Sequence, residues 1–90
     1  MSQSMIVVRY WAAARTAAGV GQDEIVTNGP LTLAEVVRRA VAAHPGTRLP
    51  GVLEICSVLV GDRPVATEDP ETVVIEPGQS VEFLPPFAGG

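Results

Sequence analysis

From Met5 to Trp11 the chain alternates: Ile6, Val8 and Tyr10 fall on one side, and Val7, Arg9 and Trp11 on the other. A period of two in a β-branched and aromatic run predicts a strand with one core-facing side and one partly wet side. The period lengthens at Leu33. Positions 33, 36, 37, 40 and 41 are apolar, with Glu35, Arg38 and Arg39 opposite them, which predicts an amphipathic helix starting at Leu33. Thr32 and Glu35 have capping-box spacing, Leu31 and Val36 have the spacing of a hydrophobic staple, and His44-Pro45-Gly46 ends the helix.

Weaker patterns fill the rest. Ala12 to Ala18, around Arg15, predicts two short helical turns closed by Gly19 and Gly21. Glu24 to Thr27 predicts a short strand stopped by Asn28-Gly29-Pro30. Leu49-Pro50-Gly51 reads as a connection and Ile55 to Val60 as a third strand, with Cys56 alternating inside it as a small core residue. Gly61-Asp62 has the glycine-first pattern of a type II′ hairpin into Arg63 to Val65. An acidic loop, Thr67 to Glu71, precedes a short apolar piece, Thr72 to Ile75. Glu76-Pro77-Gly78-Gln79 then turns the chain into a last strand, Ser80 to Leu84, with Val81 and Phe83 in phase. One strong helix among short strands predicts an α+β fold, a mixed sheet packed on one main helix. The β-grasp arrangement fits better than a ferredoxin-like one, which needs a second helix of comparable strength. Residues 1–84 form the expected domain and 85–90 an extended tail.

Composition narrows the functional classes. Ninety residues hold one domain. At 47% apolar the chain is globular, but 14 Val and 11 Ala against four aromatics predict a core of small side chains that a covering partner would help. Six Arg and no Lys against ten acidic residues give a net charge of −4, the wrong sign for nucleic acid or an anionic membrane. The Arg-free stretch after Arg63 is acidic and suited to steering towards a basic cleft. No apolar run approaches the ~20 residues of a membrane span. One Cys and one His make neither an internal disulfide nor a metal cage, which points to the cytoplasm and to no bound metal or cofactor. His44 is read as a helix-end residue suited to the dipole.

No catalytic constellation is visible in the sequence, and what stands out is the ending Phe83-Leu84-Pro85-Pro86-Phe87-Ala88-Gly89-Gly90. Two prolines favour an extended conformation that loses little entropy on threading a partner, and six residues past Leu84 reach at most ~20 Å. Gly89 and Gly90 lack Cβ atoms, so backbone there passes a narrow channel and leaves a terminal carboxylate unobstructed. A carboxylate is a poor electrophile until one oxygen becomes a leaving group. A separate nucleotide-using enzyme is therefore required, and the chain is expected to be a carrier and not a catalyst.

These residues resemble the sulfur-carrier branch of ubiquitin-like β-grasp proteins, most closely the MoaD family, the small subunits of molybdopterin synthase. The resemblance runs along Ile6 to Ala12, Arg15-x-x-x-Gly19, Thr32-x-x-Glu35 and Pro77-Gly78, and is most specific in Val81-x-Phe83-Leu84-Pro85-Pro86-Phe87-Ala88-Gly89-Gly90. It implies that an ATP-dependent, ubiquitin-activating-like enzyme adenylates the Gly90 carboxylate and that a sulfurtransferase converts it to a thiocarboxylate. The tail then enters the large catalytic subunit of a heterotetrameric synthase, where sulfur passes to cyclic pyranopterin monophosphate in molybdenum cofactor biosynthesis. By the same resemblance Gly90 and Gly89 carry the reacting end, and Phe83, Leu84, Pro85, Pro86, Phe87 and Ala88 dock. A carrier for thiamine or cysteine synthesis and a ubiquitin-like binding or conjugation module are the alternatives.

Overall fold

A computed structural model of the chain describes residues 4–86. Its strands are β1 (Ser4–Tyr10), β2 (Gln22–Thr27), β3 (Leu31–Thr32), β4 (Ser57–Val60), β5 (Arg63–Pro64), β6 (Val74–Ile75) and β7 (Ser80–Leu84), with helices α1 (Ala12–Ala18), α2 (Leu33–Ala43) and α3 (Leu49–Ile55). The main sheet has the order β2-β1-β7-β4-β5, and β3 pairs with β6 in a separate two-stranded ladder. Only β1 and β7 run parallel within it; β1 with β2, β4 with β7 and β4 with β5 are antiparallel. This is the mixed-sheet, ubiquitin-like β-grasp architecture, α+β as expected.

The alternation in β1 holds: Ile6, Val8 and Tyr10 are buried. They meet Val81 and Phe83 from β7, Leu33, Val36 and Ala40 from α2, and Leu49 and Leu53 from α3 in one core. Gly19 caps α1 at φ 80, a left-handed conformation that glycine reaches without Cβ strain, and donates its N–H to Arg15 O. Gly61 at φ 59 opens the β4–β5 hairpin, as its glycine-first sequence predicts.

Two readings are corrected. Leu49-Pro50-Gly51 is not a connection but the first turn of α3, so the following strand begins at Ser57 and not at Ile55. Proline in a first turn costs no helical hydrogen bond, because those N–H groups have no intrahelical partner. Leu49 and Leu53, four residues apart, are buried together and hold the turn against the core. Cys56 leaves the strand as a consequence and becomes the C-cap of α3, partly buried against the core.

The capping box is half formed. Thr32 Oγ1 accepts from Glu35 N at 3.1 Å, but the Glu35 carboxylate turns outward to Arg38 Nε at 3.0 Å and Arg39 Nε at 2.9 Å. Those hydrogen bonds hold the Glu35 carboxyl below its ordinary range. The α2 entry is further tied down where Leu33 N donates to Val73 O and Ala34 N to Pro70 O. Removing the Thr32 hydroxyl leaves a helix donor unsatisfied, so Thr32→Ala is expected to lower stability by about 1 kcal/mol. Urea unfolding measures it, and an unchanged midpoint would contradict the capping role.

Candidate functional site

The tail grows out of the middle of the sheet. β7 lies between β1, in the register Tyr10↔Phe83, and β4, in the register Val58↔Phe83 and Ser57↔Leu84. At the end of β7, Trp11 N donates to Phe83 O at 3.1 Å. Beyond Leu84 the strand stops, and Pro85 and Pro86 are exposed and in no regular element. Neither proline has an N–H to continue a ladder, so pairing ends where the sequence places it.

Of the residues assigned to docking, Phe83 lies in the core at 1% exposure, its ring stacked on Tyr10 with centroids 6.3 Å apart. Its position follows from the alternation of β7: Val81 and Phe83 point inward, leaving Glu82 and half-buried Leu84 on the other face. Phe83 is the anchor of the tail, and Leu84, Pro85 and Pro86 present surface beyond it. Phe87, Ala88, Gly89 and Gly90 lie outside the described residues.

A polar cluster that sequence reasoning missed holds this anchor. Tyr10 OH donates to Asp23 Oδ2 at 2.7 Å, and His44 Nε2 lies 2.6 Å from the same oxygen. The His44 ring meets Tyr10 edge-on, with centroids 6.0 Å apart and planes at 85°. The end of α2, strand β2, strand β1 and the anchor Phe83 are thereby linked through Asp23 and Tyr10. Burial, then the hydrogen bond from Tyr10 to Asp23, then the nearby carboxylate charge push the Tyr10 phenol well above its ordinary range. Alternation placed Tyr10 inward but gave no sign of partners 13 and 34 positions away. An acid inside a strand pattern and a His at a helix end were the available signals.

On the other face of β7, Glu82 Oε1 accepts at 3.0 Å from the indole N–H of Trp11, which follows β1 and is 44% exposed. On the core side, Cys56 lines an apolar cavity of about 300 Å³ with Leu53, Val58 and Phe83. Burial raises the Cys56 pKa, which disfavours the nucleophilic thiolate. Among the described residues no group of His, Cys, Asp or Glu side chains could hold a metal ion, and no helix is long and apolar enough to cross a membrane.

Comparison with known proteins finds related sequences and similar folds. The sequence profile of the ThiS family matches residues 8–90, a span that includes the whole tail. The molybdopterin synthase sulfur carrier subunit of Aspergillus niger is 31% identical over 83 residues, covering 92% of this chain and 91% of the relative. The subunit of the same name from Chlamydomonas reinhardtii is 28% identical over 85 residues, covering 94% and 98%. Among solved structures, small archaeal modifier protein 1 of Methanosarcina acetivorans superposes with a TM-score of 0.72 over 100% of both chains at 15% identity, a likeness of fold.

The raised Tyr10 pKa fixes a pH dependence. The folded state keeps the phenol protonated where the unfolded chain loses its proton near pH ~10. The stabilisation is therefore complete below pH ~10 and is lost as pH rises from there towards the folded value. Tyr10 is the single tyrosine of the chain, so tyrosinate absorbance reports it alone. In an alkaline titration that absorbance is expected to rise only as circular dichroism shows unfolding. Ionisation near pH 10 with the fold intact would contradict the buried Tyr10–Asp23 contact.

Proposed function

Because this chain belongs to the ThiS family, we propose that it is a sulfur carrier, the small subunit of a molybdopterin synthase, with Gly90 as its reacting end. The observation that carries the reading is the family match running through Gly90, joined to a tail rooted on a central strand. Both named relatives are molybdopterin synthase subunits, which favours that acceptor over thiamine or cysteine synthesis.

The chemistry follows from the carboxylate. An activating enzyme joins one Gly90 carboxylate oxygen to the α-phosphorus of ATP, releasing pyrophosphate and making adenylate the leaving group. The outer sulfur of a sulfurtransferase persulfide attacks the carbonyl carbon and displaces AMP, and a thiol reductant then cleaves the resulting acyl disulfide, leaving a thiocarboxylate. The large synthase subunit then receives the tail, the sulfur bonds to cyclic pyranopterin monophosphate, and water cleaves the acyl–sulfur bond, returning the carrier as the carboxylate. The body of this chain contributes position: it holds the root of the tail fixed, and Leu84, Pro85, Pro86, Phe87 and Ala88 enter the partner ahead of Gly89 and Gly90. Docking of a partly preorganised segment loses less conformational entropy than docking of a flexible one.

Intact-protein mass spectrometry after incubation with ATP, a sulfur donor and cognate cell extract tests the carrier chemistry. The expected result is a gain matching one oxygen replaced by sulfur, absent when Gly90 is deleted. No gain where an established carrier reacts, or adducts of Gly90 on lysines of other proteins, would contradict it.

A further inference from the structure

Five of the six arginines precede the acidic C-terminal third, and the structure sorts them. Arg38 and Arg39 are held by Glu35, with Glu71 also on Arg38, and Arg63 is held by Glu68. Arg9, Arg15 and Arg48 are exposed and meet no carboxylate among the described residues. Arg48 stands apart at the start of α3, while Arg9 and Arg15 share one cleft of about 310 Å³ with Tyr10, Trp11, Gly21 and Gln22. The Arg15 side chain lies over Gly21, its Nε 3.8 Å from where a Cβ would stand. Glu82 pairs with Arg9 in the β1–β7 register, but its carboxylate accepts from the indole of Trp11 and forms no ion pair with Arg9. That bond holds the exposed indole in place as one wall of the cleft.

Location and strain give this cleft a direction. Trp11 N bonds to Phe83 O, so the cleft sits at the edge from which the tail departs. Ala12, next to Trp11, is the one non-glycine among the described residues with a positive φ, at 50°. A left-handed alanine is strained, and such strain concentrates at functional sites. The two guanidiniums of this cleft, which form no ion pair in a chain of net charge −4, fit discrete acidic groups. The same net charge opposes a polyanion such as nucleic acid.

We propose that the cleft of Arg9, Trp11 and Arg15 is a second docking contact that takes carboxylates on the surface of the protein receiving the tail. This rests on the reading of the chain as the carrier of a large synthase subunit. Recognition is then two-part: the tail gives access to the reacting centre, and the arginines orient the body at the rim. Rim charges act chiefly on association rate and its salt dependence.

The test measures binding of the complete chain to the cognate large subunit at low and high salt, for wild type, Arg9→Gln/Arg15→Gln and Arg39→Gln. The double variant is expected to associate about tenfold more slowly at low salt, with the gap closing at high salt, while Arg39→Gln follows wild type. Matched melting curves keep folding out of the comparison. Trp11 is the only tryptophan, so a fluorotryptophan label in this chain gives a single resonance, expected to shift on complex formation. Equal association of the double variant and wild type would overturn the cleft assignment and leave the carrier reading standing. A comparable shift of the Trp11 resonance with inorganic phosphate alone would also overturn it, by making the cleft a general anion site. Failure of wild type to bind the large subunit at all would overturn the carrier reading and the assignment with it.

Discussion

The parallel pairing of β1 with β7 is the constraint on which the molecule depends. It sets the first strand beside the last, from Val7↔Ser80 to Tyr10↔Phe83. Parallel neighbours cannot be joined by a tight turn, so everything between Trp11 and Gln79 is crossover. Within it, α2 and α3 cover the sheet and β2 and β4 flank the parallel pair. The C-terminal strand therefore lies at the centre, and the tail inherits a root fixed by neighbours on both sides.

Side chains reinforce that root. Phe83 stacks on Tyr10, Tyr10 is bonded to Asp23, and Asp23 also receives His44 from the end of α2. A core of small side chains has little bulk to spare, and its largest fully buried residues are Tyr10 and Phe83 themselves. Stability and presentation of the tail thus share the same two rings. Beyond them Leu84 is half-buried, and Pro85 and Pro86 are exposed.

Much of this was legible in the residues. Alternation placed Ile6, Val8, Tyr10, Val81 and Phe83 inward, and the T-x-x-E spacing located the start of α2. The diproline marked the end of the last strand, which stops at Leu84. What escaped was decided by context. Leu49-Pro50-Gly51 carries breaker residues, and only burial of Leu49 and Leu53 makes it helix; Cys56 left its predicted strand for the same reason. The Tyr10–Asp23–His44 cluster depends on three elements meeting in space, which no local period encodes. Phe83 was assigned to docking by resemblance, and its strand phase, which equally implied the core, describes where its ring lies.

The central physical claim is that the tail departs from one of the most stable strands in the fold. Native-state hydrogen exchange of the Val81 to Leu84 amides tests it directly. The account predicts that those bonded within the sheet open only with global unfolding, with free energies matching that from urea. Exchange of the same amides through local fraying, at free energies well below the global value, would contradict it and make the tail root a loose end.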